Sequence, residues 1–245
     1  MTQNRLIAMA AALALLAAPH PRNYRFTMEY FTFDAKGQFL QKQRIVGDYT
    51  AADPGDDVRW ARVTLASGDS LTGAYGPPEP QAYMNGFSYS PARERLFSAD
   101  FFKAFPPAAT HAKNLVWDTF MFETFALDLN KVKASSPYHV PAWAVPGNST
   151  PTDVQISWVG IVERHKQECA LVRYEAFFNG VEHNLQGMKL VGRSDYWGDL
   201  SISIATGDIE SATLYEEVSG ELRGTAQPVP RLVNVVRKGV FERLP

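Results

Sequence analysis

Residues 23–34 alternate between apolar and polar side chains, and this period of two constrains the fold more than any other feature of the chain. The apolar set is Tyr24, Phe26, Met28 and Tyr30, and the polar set is Arg25, Thr27 and Glu29. Such alternation is typical of a strand with one buried face. A turn at residues 35–38 predicts a hairpin with a second strand that carries Phe39, Ile45 and Tyr49 on one face. A third strand is predicted over Val58–Leu65.

A second block of predicted strands begins at Val154 and continues to the C-terminus. Its most regular part alternates between an apolar and a small or polar set, which predicts one buried and one solvated face. The two sets are Leu200, Ile202 and Ile204 against Ser201, Ser203 and Ala205. The charged residues 164–168 predict a solvated hairpin tip. Turn chemistry at Asn179-Gly180, at residues 196–199 and at residues 206–208 predicts that the strands follow one another as a meander.

The pattern changes between the two blocks. An aromatic-rich helical insertion is predicted over about residues 92–130, with a first helix capped by Ser98 and a second helix after Pro106-Pro107. An alternative reading is a strand over Val116–Leu129, because Trp117, Thr119 and Met121 also fit a period of two. A Pro-rich link over residues 136–153 is predicted to cross the surface between the two β blocks.

These elements predict the fold class and the domain organisation. Aromatic residues make up 12% of the chain, and 17 glycines and 16 prolines punctuate it, as is typical of strands joined by turns. We expect a mainly β protein: a large twisted antiparallel sheet, which could curve into a half-barrel, with a minor helical part in the central insertion. Residues 22–245 are expected to form a single β-dominated domain.

The first residues predict export. Arg5 precedes an unbroken apolar run from Leu6 to Ala18, and residues 1–21 therefore read as a signal peptide or a short uncleaved anchor. A bilayer core needs about 20 apolar residues in a helix, more than this run supplies. We expect a periplasmic or extracellular protein, membrane-associated if the N-terminus stays uncleaved. The single cysteine, Cys169, excludes an intrachain disulfide.

Charge and motifs argue against several function classes. The formal net charge of −2 and a pI near 6.2 give no broad attraction for phosphate backbones, so no nucleic-acid partner is expected. Nucleophile elbows, phosphate loops and the HExxH pair are missing from the sequence. We predict no cofactor, no metal and no catalytic residue. The alternative is an enzyme of unknown reaction that draws its acid/base or metal-binding groups from His111, His139, Asp118, Glu123 and Asp128.

The concentration of aromatic residues in the insertion is the functional hint with a physical mechanism. It supplies more apolar area than two short helices need for docking, so some rings could line an apolar pocket. The residues predicted to contact the ligand are Phe101, Phe102, Phe105, Trp117 and Phe120. Ordinary packing between sheet and helices would explain the same rings.

A curved antiparallel sheet with helices laid across its concave side resembles, in outline, the periplasmic lipoprotein carriers. The resemblance concerns architecture and implies a cavity suited to a lipid or another apolar molecule. We therefore predict an exported, noncatalytic protein that binds an apolar ligand or acts as an accessory subunit of a cell-envelope complex with an envelope protein as its partner.

Overall fold

A computed structural model gives the structure of residues 21–51, 57–90, 101–107, 109–123, 128–140, 149–150, 152–185, 188–224 and 231–245. These residues form one antiparallel sheet of twelve strands, which differ in length, and three short helical elements. The strands are β1 (Arg22–Asp34), β2 (Phe39–Ala51), β3 (Val58–Gly68), β4 (Glu79–Pro80), β5 (Ser88–Tyr89), β6 (Tyr138–Val140), β7 (Ser149–Thr150), β8 (Val154–Arg164), β9 (Gln167–Leu185), β10 (Met188–Ser203), β11 (Ile209–Gly224) and β12 (Arg231–Arg243). The helical elements are a 3-10 helix (Ala82–Met84), α1 (Thr110–Glu123) and α2 (Leu129–Ala134).

The sheet joins the two ends of the described chain. Its order is β4-β3-β2-β1-β12-β11-β10-β9-β8-β6, with β5 added beside β3 and β7 beside β9. The pairing of β1 with β12 places Phe26 opposite Phe241 and Tyr30 opposite Arg237. The predicted mainly β class, with one large antiparallel sheet and a small helical part, is therefore confirmed. The sheet is open, since its path ends at β4 on one side and at β6 on the other.

Helix α1 defines what we call the inner face of the sheet, and we call the opposite side the outer face. Phe122 of α1 packs its ring against Phe26, Tyr174 and Phe241, with ring centroids 6.0, 6.4 and 5.7 Å away. These three residues share the inner face because the register aligns their strands. The main core lies between this part of the inner face and α1.

The helical prediction for the insertion is confirmed over α1, and the strand reading of Val116–Leu129 is wrong in its first half. Leu115, Val116 and Phe120 are fully buried, as the helical spacing of three and four predicts. The helix predicted after Ser98 begins outside the described residues, and residues 101–105 form turns. The predicted signal or anchor over residues 1–21 also falls outside them, apart from Pro21.

The Pro-rich link over residues 136–153 contributes short strands where it is described. Tyr138–Val140 pairs with β8, and Ser149–Thr150 pairs with β9. Residues 141–148 lie outside the described part of the chain. The link therefore extends the sheet at both of its described ends.

Two predicted turns are wrong. Asn179-Gly180 lies inside β9, and residues 196–199 lie inside β10. The register between these strands shifts between Ser194 and Tyr196, opposite Phe178, which adopts a left-handed φ of 64°. The turn-forming residues thus mark a bulge in a long hairpin, because a bulge and a turn need the same permissive backbone.

The alternation of burial predicted over residues 200–205 is not found. Leu200 and Ile202 are buried as expected, but Ser201 and Ser203 are only 3% and 0% exposed, and the Ser203 hydroxyl donates to Gln167 Oε1 at 2.9 Å. Ile204 lies beyond β10 and is 46% exposed. This end of the strand is therefore covered on both faces. Within the described ranges, no helix has the length and apolar character needed to cross a membrane.

Candidate functional site

A trio of charged side chains lies between α1 and the inner face, and we call it the inner trio: Asp118 of α1, Glu216 of β11 and Arg237 of β12. The Arg237 guanidinium donates from Nη2 to Asp118 Oδ2 and from Nη1 to Glu216 Oε2. The three side chains are only 10 to 14% exposed. The strands bring the trio together because Arg237 is registered opposite Glu216, while the buried stripe of α1 presents Asp118 to both.

The surroundings of the inner trio are aromatic and buried. Tyr30 sits beside Arg237, whose guanidinium carbon lies 5.3 Å from its ring centroid, and His111 packs edge-on against the same ring at 4.3 Å. Ser194 of β10 donates its hydroxyl to Glu216 Oε1 at 2.5 Å. The trio is therefore held by α1 and three neighbouring strands, and water has little access to it.

Burial shifts the protonation equilibria of this site. It raises the pKa of Asp118 to about 7; Arg237 opposes the rise and Glu216 adds to it. Burial also lowers the pKa of His111 to about 4, with Arg237 acting in the same direction, so the imidazole is neutral near pH 7. Desolvation raises the pKa of Tyr30 to about 12. The site thus holds a permanent cation, a carboxyl group that titrates near neutrality and a neutral histidine.

A second apolar cluster adjoins the inner trio on the inner face, and we call it the distal cluster. It consists of Val181, Leu190, Val218 and Val233, with Leu222 and Val235 packed against it. Val235 also packs against the main core, so the two apolar regions meet there. Along β11 and β12, Glu216 and Arg237 lie between residues of the main core and residues of the distal cluster. The inner face is therefore apolar, then charged, then apolar again.

The structure places the five predicted ligand-contacting rings in two groups. Phe101, Phe102 and Phe105 pack edge-on against one another and against Phe87, with centroids between 4.6 and 5.9 Å apart. The other group is in α1, where Trp117 and Phe120 lie 5.9 Å apart.

Burial divides the same five rings in a different way. Phe105 and Phe120 are 5% and 0% exposed, whereas Phe101, Phe102 and Trp117 are only partly buried. All five belong to the main core or pack against it, and their contact with a ligand stays a prediction.

The predicted histidine and carboxylate groups whose side chains are described are not brought together into one centre, and the side chain of Glu123 lies outside the described part. His111 contacts Tyr30 at the inner face, whereas His139 is exposed on β6. Asp118 binds Arg237, and Asp128 caps α2 by accepting from the backbone N–H groups of residues 130 and 131. Across the residues that the structure describes, no three His, Cys, Asp or Glu side chains are grouped as a metal site would require.

Sequence reasoning found Asp118 as a candidate but missed Arg237 and Glu216. The partners are 119 and 21 residues apart in sequence, and no local motif links them. A signal did exist in β12, where the apolar alternation of residues 233, 235, 239 and 241 is interrupted by an arginine on the buried face. A charged residue in a buried strand position indicates a partner elsewhere in the fold.

A second group of buried charges lies at the opposite end of the same strands, and we call it the end cluster. Glu210 is fully buried and accepts from Arg243, and it lies 3.0 Å from His165 Nδ1. Asp208 accepts from Arg22 at 2.6 Å and lies 3.7 Å from Arg243. His165 was predicted to be a solvated hairpin residue, and its side chain is indeed 50% exposed while it contacts a buried acid.

The outer face carries an exposed aromatic row across β9, β10 and β11. Phe178 is 71% exposed at the bulge, where its backbone N–H donates to Asp195 Oδ1 at 2.6 Å. Phe177 and Trp197 are 41% and 38% exposed, and Trp197 stacks on Tyr215 with centroids 6.0 Å apart. Asp199 binds Arg173, and Asp195 accepts the hydrogen bond at the bulge, so these two acids have separate partners.

Comparison with known proteins gives a fold relationship. No protein-family model matches the chain, and no curated protein matches it. The chain is similar to a lipovitellin whose structure was described for its lipid–protein interactions, with a TM-score of 0.52 and 11% identity over 91% of this chain. It spans 25% of the length of that lipovitellin chain.

A DUF1329 family protein from Desulfovibrio piger also aligns, at 5% identity over 90% of this chain and 85% of that one. Its TM-score is 0.14, and we base no argument on it. At these identities the likeness to lipovitellin establishes the fold and leaves the function to be argued from the site.

Proposed function

We propose that this protein binds an apolar ligand, a lipid or another hydrophobic small molecule, against the inner face of its sheet, and that it is noncatalytic. The observation that carries the proposal is the distal cluster, whose four buried side chains, 5 to 9% exposed, continue the apolar inner face past the inner trio on the strands that also carry the main core. Sites for hydrophobic ligands are lined predominantly by such apolar side chains.

The fold relationship supports the same function. The lipovitellin that this chain resembles is described by its interactions with lipid, and the shared region covers 91% of the present chain. The large antiparallel sheet is the common element. Because the likeness concerns the fold alone, the ligand of this chain must be established by experiment.

The partly buried rings at the main core are further candidate contacts for the ligand. Phe101, Phe102 and Trp117 pack against the main core without being fully enclosed by it. A ligand that completes the packing of these rings would stabilise the folded protein by mass action. Phe105 and Phe120 are already enclosed, so their role in the proposed site is to support the others.

Uptake of a fluorescent fatty acid, combined with two truncations, tests the proposal. Phe102→Ala removes a partly buried ring. It should weaken uptake of the fatty acid while it lowers the free energy of unfolding by less than Phe120→Ala does. Phe120→Ala removes a fully buried ring and should cost about 3 to 5 kcal/mol of stability, the usual range for a buried Phe. Native mass spectrometry of the wild type should show a lipid that copurifies. No uptake and no copurified lipid would overturn the proposal.

We also propose that the protein is exported to the periplasm or the extracellular space. The support is the apolar run after Arg5 in residues 1–21, which are read as a signal peptide or a short anchor. Sequencing the N-terminus of the protein recovered from the cell envelope tests this: processing near residues 17–23 is expected. A full-length product confined to the cytosol would contradict it.

The exposed aromatic row favours a second candidate function, that of an accessory subunit bound to an envelope protein. Aromatic residues and arginine are enriched where proteins bind one another, and Arg193 lies 5.1 Å from the ring centroid of Phe178 on this surface. Phe178→Ser should then abolish copurification with the partner and leave fatty-acid uptake unchanged. Copurification of the same partner with this variant would argue against the outer face as the interface.

A further inference from the structure

The inner trio contains two acids and only one cation, so its charges do not balance when both acids are ionised. Arg237 carries one positive charge and is shared by two carboxyl groups, Asp118 and Glu216, in a part of the protein that excludes water. Arg243 of the end cluster likewise meets two acids, but Arg22 and His165 supply further cationic or donor groups there. An uncompensated carboxylate is costly when it is buried. Asp118 and Glu216 therefore compete for one guanidinium.

The two acids are held differently. Glu216 is part of the sheet, lies opposite Arg237 in register and accepts a second hydrogen bond from Ser194. Asp118 belongs to α1, and among the described residues its carboxylate has a single donor group, the Arg237 guanidinium. Asp118 is thus the acid that can leave without disturbing the sheet.

Arg237 also has donor capacity to spare. Its Nε is buried and has no hydrogen-bond partner among the described residues. A guanidinium recognises carboxylates through paired N–H donors, so the side chain is suited to a second carboxylate in place of Asp118. The distal cluster begins one alternation step along β12, at Val235, so an apolar chain lying on it would reach the guanidinium with its polar end.

We propose that the ligand is a long-chain carboxylate whose head group takes the place of Asp118 on Arg237 while its hydrocarbon chain lies on the distal cluster. This inference rests on the proposed function and specifies its ligand class. In the empty protein, Asp118 occupies the head-group position and fastens α1 to the sheet. When the ligand carboxylate binds, Asp118 is released and α1 loses its ionic contact with β12.

The arrangement disfavours other head groups. A neutral ester brings acceptor oxygens but no charge, so it cannot displace an ionised Asp118 from Arg237. A hydrocarbon without a head group would leave the pairing of Arg237 with Asp118 intact and gain only the apolar contact. A cationic head group would meet the guanidinium of Arg237 and be repelled by it.

The experiment compares a long-chain saturated fatty acid with its methyl ester, each displacing a fluorescent apolar probe from the full-length protein at about pH 8, where the free acid is ionised. The wild type should prefer the acid. Asp118→Asn removes the internal competitor and should tighten acid binding by about tenfold, or about 1.4 kcal/mol, while ester binding stays unchanged. The matched control is Asp128→Asn, which removes the same charge at the cap of α2 and should change neither affinity.

Arg237→Lys retains the charge but loses the paired donors, and it should reduce the preference for the acid in protein that still melts cooperatively. Equal binding of acid and ester by the wild type, or weaker acid binding by Asp118→Asn, would overturn this inference and leave the proposed apolar-ligand function standing. Failure to bind either ligand or the probe itself would overturn the proposed function as well.

Discussion

The inner trio and the end cluster each pair an arginine of β12 with a buried acid of β11 and one further acid, yet they differ in balance and in access to water. In the inner trio, two acids share one arginine, and every side chain is at most 14% exposed. In the end cluster, Glu210 is fully buried, but Arg243 is 26% exposed and His165 is 50% exposed, and Arg22 adds a second arginine.

This difference separates a structural group from a group suited to function. In a balanced cluster at the border with solvent, each group can stay ionised when a partner is lost, because water then solvates the charge. In an unbalanced cluster that excludes water, each ionised group is stabilised only by the protein groups around it. Removing one member should therefore change stability by different amounts in the two places, and four expected outcomes follow from the contrast.

Removal of the shared arginine should have the largest effect. Arg237→Met leaves two buried carboxyl groups without a cation and should cost about 3 to 5 kcal/mol in the free energy of unfolding, measured with urea near pH 7. Arg243→Met is the matched control; it should cost less, since water, Arg22 and His165 remain close to the acids. A larger loss for Arg243→Met would reverse the comparison.

Neutralising one acid in each cluster should give the next largest effect. Glu210→Gln weakens charge-assisted contacts to Arg243 and His165 and should cost about 1.5 to 3 kcal/mol. Glu216→Gln leaves Arg237 paired with Asp118 and relieves the competition, so it should cost less than about 1 kcal/mol. Urea denaturation of both variants measures the difference, and equal losses would mean that the inner trio has no excess of acid.

The pH dependence of stability should sharpen the contrast further. Asp118 has a pKa of about 7 in the folded protein against an ordinary 3.8, so the folded state holds a proton that the unfolded chain has released. Its stabilising contribution is full below pH 3.8 and is lost as the pH rises through 7.

His111 acts in the opposite direction. Its pKa falls from 6.5 to about 4, so its contribution is full above pH 6.5 and is lost as the pH falls through 4. Thermal melting of wild type and Asp118→Asn between about pH 4 and pH 8 isolates the Asp118 contribution, because His111 is common to both. The variant should lose stability more steeply than the wild type on acidification, and parallel curves would show that Asp118 does not titrate in this range.

The exposed member of the end cluster should give the smallest effect. His165→Asn removes a half-exposed partner of Glu210 and should change the free energy of unfolding by less than about 1 kcal/mol. Arg243 still binds Glu210 in this variant. A loss as large as that of Glu210→Gln would mean that His165, and not Arg243, provides most of the stabilisation of Glu210.

The sequence was sufficient to predict the parts of the fold that repeat locally. The hairpin of β1 and β2 followed from the alternation in residues 23–34 and from the turn at Gly37, whose positive φ of 75° fits the turn. Helix α1 followed from its apolar spacing. The bulge at Phe178 was misread as a turn because Asn179-Gly180 carries the chemistry of both.

The candidate site was less predictable, because the pairing register of distant strands brings its residues together. The sequence offers Asp118 as a candidate acid/base or metal-binding group between His111 and His139, but its partner lies 119 residues away on β12. Only the pairing of β1 with β12 and of β12 with β11 places Arg237 among Tyr30, Glu216 and Asp118. A pattern within one segment holds no information on which strands will be neighbours.

Photo-crosslinking tests the central claim, that the ligand lies on the inner face, most directly. A fatty acid with a diazirine at the end of its chain is bound to the full-length protein, irradiated and located by peptide mass spectrometry. The account predicts crosslinks to the distal cluster, at Val181, Leu190, Val218 or Val233. Crosslinks confined to the outer-face residues Phe177, Phe178 and Trp197 would contradict it.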